Sequence, residues 1–192
     1  PPAPGREAAD HRRVARQNAG FTVDQRNHDR LGLHIELSGF GSDDEDLDGG
    51  LWIGTYGGGL DRLDRVSGEY RHFRNDPKDT RTISEDRVMS LLVGRGGDLW
   101  AGTLARGLNH LDRRTGAFQH YRADPENAAS LSSDAVMSLY EDGSGALWVG
   151  TWNAGLNRLD RDKGEFTRYR NDPTQPGSLG GDSVTSMVEE SV

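Results

Sequence analysis

The 192-residue sequence contains no cysteine, which excludes disulfide bridges, thiolate zinc sites and cysteine nucleophiles. It also lacks an apolar run of about 18 to 20 residues, the length that a membrane-spanning helix requires. Lysine occurs only at Lys78 and Lys163, and the formal net charge is −8, which argues against a general nucleic-acid binder. We therefore expect no nucleic-acid partner and no membrane segment in this chain.

The two ends of the sequence lack the features of a complete protein. Pro1-Pro2 stands at the start, without a leader of charged and then apolar residues, so no signal peptide is expected in this chain. Val192 stands in the middle of a repeating pattern. We interpret the chain as a piece of a longer protein.

A pattern of 48 residues occurs three times without insertion or deletion. It is marked by Leu-Trp-x-Gly-Thr at 51–55, 99–103 and 147–151. Downstream positions keep the same register, among them Gly68, Gly116 and Gly164 and the Asp-Pro pairs that begin at Asp76, Asp124 and Asp172. Such self-similarity at a fixed period is the signature of a repeat architecture.

Each period contains four short segments of alternating polarity that end at glycine, aspartate or proline, a pattern typical of strands and turns. In the third copy the predicted strands are 136–140, 147–151, 155–160 and 165–169. Four antiparallel strands per repeat indicate one blade of a β-propeller, and parallel solenoid coils fit less well. We predict an all-β fold of about three four-stranded blades in an incomplete ring, since closed rings have four to eight blades.

The repeat divides the chain into two parts. Residues 45–192 hold the partial propeller, with repeats that start near 45, 93 and 141. Residues 1–44 do not carry the repeat and are polar and arginine-rich, so we predict a disordered or out-of-register segment in which only 31–37 could form a strand.

From Glu141 to Leu179 the sequence contains Glu-Asp-x-x-Gly-x-Leu-Trp-Val-Gly-Thr-x-x-x-Gly-Leu-Asn-Arg-Leu-Asp, then Gly-x-Phe-x-x-Tyr, Asp-Pro and Ser-Leu. This string resembles the two-component regulator propeller repeat, and the resemblance covers residues 45–192 three times over. It implies a ligand-sensing segment from the periplasmic or extracytoplasmic region of a bacterial hybrid histidine kinase, which would recognise carbohydrate or another small nutrient. No kinase segment is present here, so we expect neither catalysis nor a cofactor from this chain.

Positions that are identical in every copy are most simply structural, because each blade must pack in the same way on its neighbours. This interpretation applies to the tryptophans and glycines of the Leu-Trp-x-Gly-Thr segments, namely Trp52, Trp100, Trp148, Gly54, Gly102 and Gly150. The fourth-strand position with His72, His120 and Arg168 is predicted to face solvent at the outer edge, and no metal site is expected there.

The three residues after each Gly-Thr differ between copies, although both flanks are constant. They supply the candidate ligand-binding residues Tyr56, Arg106, Trp152 and Asn153. In a four-stranded blade this connection lies on the same face as the long blade-to-blade loop, and aromatic rings beside polar groups suit a sugar or an anion.

A ligand-sensing module is the leading functional hypothesis, with a small molecule or an oligosaccharide as the partner. A protein-interaction scaffold and a propeller-based lyase remain as alternatives. The open blades also predict contact with the remaining propeller blades or self-association, because uncapped repeats leave apolar faces and strand edges free.

Overall fold

The computed structural model describes residues 43–45 and 49–190, which form three four-stranded antiparallel sheets. Blade 1 contains β1 (Asp43–Glu45), β2 (Leu51–Thr55), β3 (Gly59–Leu63) and β4 (Tyr70–Phe73). Blade 2 contains β5 (Val88–Val93), β6 (Leu99–Thr103), β7 (Leu108–Asp112) and β8 (Ala117–Tyr121). Blade 3 contains β9 (Val136–Glu141), β10 (Leu147–Thr151), β11 (Leu156–Asp160) and β12 (Glu165–Tyr169).

The predicted all-β fold with three four-stranded blades is confirmed. The strands of every blade follow one another in chain order, and the register repeats, since Leu51 pairs with Leu63, Leu99 with Leu111 and Leu147 with Leu159. No helix in the described part of the chain is long and apolar enough to cross a membrane.

Strand β1 differs from the first strands of the other blades. It consists of three acidic residues that pair with β2, whereas β5 and β9 begin with Val-Met-Ser. The sequence predicts no strand there, because these residues lack apolar alternation. The prediction for residues 1–44 otherwise lies outside the described residues.

The core lies in the seams between successive blades. Trp52 and Trp100 are each only 2% exposed, and each packs against residues of the following blade. An edge-to-face aromatic pair closes the outer end of both seams, Phe73 on Phe118 and Tyr121 on Phe166, with ring centroids 6.0 and 5.7 Å apart. Trp52 and Trp100 therefore fill the space between blades.

Close backbone approach requires glycine at the fourth position of Leu-Trp-x-Gly-Thr. A Cβ atom on Gly102 would lie 2.9 Å from the Cβ of Val136 on the first strand of blade 3, and nearer still to Ser90 Oγ. At Gly150 a Cβ atom would lie 2.6 Å from the carbonyl oxygen of Val184. The glycine thus lets the chain that follows the blade-to-blade connection pack directly on the sheet: β9 at Gly102, and the segment around Val184 at Gly150.

The long connections between blades are fastened to the outer strand that follows them. His120 Nε2 lies 2.8 Å from the carbonyl oxygen of Thr82, and Arg168 donates to the carbonyl oxygens of Ser130 and Asn127. The prediction that this position faces solvent therefore holds for His72, which is exposed, and is wrong for His120 and Arg168, which are half-buried. It failed because the sequence pattern does not show that the preceding connection runs along this edge.

Blade 3 ends the described sheet series with a face that is open around its outer strands, whereas the segment around Val184 bonds to Ser138 of β9 and Thr151 of β10. Trp148 is only half-buried, and its neighbour Tyr169 is 41% exposed at a centroid distance of 5.5 Å. The equivalent Trp100 and Tyr121 pack against blade 3. The open face thus presents the same kind of apolar surface that the two internal seams bury.

Candidate functional site

One end of the blades carries a continuous surface of variable loops. In each blade, the connection between the second and third strands forms backbone hydrogen bonds to a segment that precedes the first strand of a blade. We call such a segment a lead-in segment. Gly57 N donates to Asp86 O at 2.9 Å, and Leu104 N donates to Arg87 O at 3.1 Å. Residues 86–87 therefore link the connections of blades 1 and 2.

The same arrangement joins blades 2 and 3. Gly107 N donates to Asp134 O, and Trp152 N donates to Ala135 O, both at 2.9 Å. We call this surface the loop face. It consists of the connections 55–59, 103–107 and 151–155 with the lead-in segments 84–87, 132–135 and 180–184.

All four candidate ligand-binding residues lie on the loop face. Tyr56 in blade 1 is 54% exposed, Trp152 in blade 3 is 51% exposed, and Arg106 and Asn153 are exposed as well. No hydrogen bond or ring contact among the described residues joins any two of their side chains. The structure therefore sets them along a series of adjoining loops and does not gather them into one pocket.

Asn153 has a backbone conformation that fixes its position. Its φ is 63°, a left-handed value that asparagine tolerates better than most residues and that Gly57 adopts more freely at the equivalent position in blade 1. Its side-chain oxygen accepts a hydrogen bond from Ser183 Oγ at 2.7 Å. The tip of the blade 3 connection is thus tied to its lead-in segment.

The backbone of Arg106 is held on both sides. Its amide nitrogen donates to Thr103 Oγ1 at 3.2 Å, and its carbonyl oxygen accepts from Ser84 Oγ at 3.0 Å. Within residues 43–45 and 49–190, no hydrogen bond, ion pair or ring contact engages the guanidinium. An anchored backbone therefore presents an unpaired cation to solvent.

Glu85 and Arg87 form a charged cluster that the sequence analysis missed. The Arg87 guanidinium donates to Glu85 Oε1, and Ala105 N donates to Glu85 Oε2 at 2.7 Å. Hydrogen bonding to Glu85, aided by Tyr56, raises the pKa of Arg87 above its usual value. Both positions differ between copies, so the criterion that selected Tyr56 would also have found them in the lead-in segment.

The predicted residues line neither of two cavities found in the described part of the chain. A cavity of about 330 Å³ lies between the outer strands of blades 1 and 2, with His72 and Arg81 in its wall. A second of about 350 Å³ involves Pro125 and Arg168. No group of three or more potential metal-ligating side chains is found among the described residues. The loop face is therefore an open surface.

Comparisons with known proteins agree with the repeat and the blades. Residues 130–153 match the family described as two component regulator propeller. A crystallised extracellular domain from B. thetaiotaomicron, described as part of the hybrid two component system BT3049, is similar with a TM-score of 0.65 and 24% identity. That match covers 77% of this chain and 20% of the other.

A second crystallised extracellular domain from B. thetaiotaomicron is described as part of the one component system BT4673. It has a TM-score of 0.59 and 23% identity over 83% of this chain and 20% of the other. The chain thus spans about a fifth of each neighbour, and at this identity the likeness shows the fold. No curated protein matches the sequence. The predicted resemblance is nonetheless confirmed at residues 130–153, which match the two component regulator propeller family.

Proposed function

We propose that this chain is a non-catalytic, ligand-binding segment of the sensor propeller of a bacterial two-component system, and that it acts outside the cytoplasm. The neighbours described as extracellular domains of signalling systems support the sensor role and the location. One observation carries the proposal of a binding site: the positions that vary between copies lie together on a loop face whose framework is constant.

The chemistry of the loop face suits carbohydrate or another small nutrient. Tyr56 and Trp152 present half-exposed rings, whose faces can stack on the C–H surfaces of a sugar. Exposed polar side chains such as Arg106 and Asn153 can bond to hydroxyl groups. Because backbone hydrogen bonds fix the loops, binding would require little ordering of the chain.

The carboxylates of the loop face favour binding over catalysis. Asp86, Asp134 and Asp182 each accept a backbone amide hydrogen bond at 2.7 Å, so they serve to close the blade-to-blade connections. The loop-face sequences contain no histidine. A lyase would require a general base that is free to approach the substrate.

The test is a calorimetric binding survey of the 192-residue chain with a panel of plant and host oligosaccharides. We expect binding that Tyr56→Ala and Trp152→Ala each weaken about three- to tenfold, the value of one stacked ring. Tyr70→Ala is the matched control, because Tyr70 is a comparably exposed tyrosine of blade 1 outside the loop face. Cleavage of an oligosaccharide would support the lyase, and binding to a protein alone would support the scaffold.

We also infer that the open face of blade 3 packs on a further blade of the same repeat, either in the remaining propeller or in a second copy of the chain. The two internal seams provide the template, since each buries the equivalents of Trp148 and Tyr169.

A further inference from the structure

The acidic side chains of the loop face are already engaged. Glu85 is occupied by the Arg87 guanidinium and by Ala105 N. Asp86, Asp134 and Asp182 each accept a hydrogen bond from a backbone amide 11 residues earlier. Each of these carboxylates therefore has a hydrogen-bond partner within the described chain.

The two arginines of the same surface differ in their partners. Arg87 is neutralised locally by Glu85, whereas the Arg106 guanidinium has no partner among the described residues. Of the two loop-face arginines, Arg106 is thus the one whose guanidinium has no partner among the described residues, although the chain carries a net charge of −8. At physiological salt the Debye length is only about 8 Å, so distant exposed carboxylates are largely screened from a ligand beside Arg106.

The backbone that carries the Arg106 side chain is fixed. Hydrogen bonds to Thr103 and from Ser84 immobilise its backbone. Ala105 beside it is anchored to Glu85. A planar guanidinium on such a base can bind a carboxylate or a sulfate through two parallel hydrogen bonds.

We propose that the ligand of the loop face is an oligosaccharide that bears an anionic group, and that the Arg106 guanidinium binds this group. The exposed rings of Tyr56 and Trp152 contribute stacking surfaces on the neighbouring blades. This inference rests on the proposed function, because it names the chemical class of the ligand for the same site. It adds that charge, and not sugar identity alone, selects the ligand.

The experiment compares tetragalacturonate with its fully methyl-esterified form, which keeps the sugar backbone and removes the charge. A sulfated galactan tetrasaccharide distinguishes sulfate from carboxylate as the anionic group. Each is titrated against the wild-type chain and against Arg106→Gln, Arg106→Lys and Arg114→Gln. Arg114 is the matched control, because it lies at the opposite end of β7 and forms an exposed ion pair with Asp112 at 3.7 Å.

We expect at least one charged tetrasaccharide to bind at least tenfold more tightly than the ester, as one charge-assisted interaction provides. Arg106→Gln should remove this preference, Arg106→Lys should restore part of it, and Arg114→Gln should leave it unchanged. Raising the salt concentration should weaken binding of the charged ligand only. Tryptophan fluorescence and circular dichroism of each variant should match those of the wild type.

Two results would overturn the inference while leaving the proposed function intact. One is equal binding of charged and esterified ligands, and the other is a preference for charge that persists in Arg106→Gln. Absence of binding to every oligosaccharide, including the neutral members of the panel above, would overturn the proposed function itself.

Discussion

Replacement of Gly102 by alanine tests the account of how the blades pack. The added Cβ would lie 2.9 Å from Val136 Cβ, and closer still to Val136 Cγ1 and Ser90 Oγ. Ordinary carbon contacts are about 3.5 to 4.0 Å, so the first strand of blade 3 must move by about 1 Å. Val136 is fully buried in the seam and cannot turn aside. Overpacking of this kind costs about 1–3 kcal/mol, and we expect Gly102→Ala to lie in the upper part of that range.

Urea unfolding, followed by tryptophan fluorescence and by circular dichroism, measures this cost. Gly181→Ala is the control, because a Cβ atom there meets nothing within 4 Å, and its effect should stay within about 0.5 kcal/mol. Val136→Ala removes the contact with Cγ1 but leaves those with Val136 Cβ and Ser90 Oγ, so the double variant with Gly102→Ala should lose at least about 0.5 kcal/mol less than the sum of the single losses. Additive losses, or a Gly102→Ala variant as stable as the control, would refute the reasoning.

Three further predictions concern single polar or aromatic positions. Burial opposes ionisation of Asp142, but hydrogen bonds from Ser144 and the Trp148 indole outweigh it and lower the pKa of Asp142. The stability it contributes is present above about pH 4 and is lost as the pH falls through the folded-state pKa, so the deficit of Asp142→Asn in urea titrations should shrink below pH 4. Asn157→Ala should cost about 2–3 kcal/mol in urea unfolding, because the Ser132 amide and the Val149 carbonyl lose their hydrogen-bond partner. The equivalent Asp61→Ala should cost under about 1 kcal/mol, because Asp61 is only half-buried. Trp148→Glu should reduce self-association of the chain in analytical ultracentrifugation, while unchanged association would exclude the open face of blade 3 as the contact.

The repeat made most of the blade predictable. In the third copy, β10 and β12 have the predicted bounds, and β9 and β11 differ by one residue. Invariance within the chain also identified Trp52 and Trp100, which fill the two seams, whereas the equivalent Trp148 is half-buried because the described chain has no further blade beside it. Strand β1 was not predicted because its pairing with β2 uses backbone groups that acidic side chains do not reveal.

Contacts between segments far apart in the chain were harder to predict from the sequence. Glu85 lies 20 residues before Ala105, and its role depends on how the lead-in segment crosses the connection of the same blade. Arg168 bonds to a carbonyl oxygen 38 residues earlier, so its position at the outer edge did not indicate solvent exposure. Variation between copies located the loop face, but it could not show that Arg106 is unpaired and Arg87 is not.

Hydrogen–deuterium exchange of the chain with and without tetragalacturonate tests the central claim, that the variable loops form the recognition surface. We expect slower exchange in the connections 55–59, 103–107 and 151–155 and in their lead-in segments, with no change in the turns 64–69, 113–116 and 161–164 at the opposite end of the blades. Protection confined to those opposite turns, or to the outer strands, would contradict that claim.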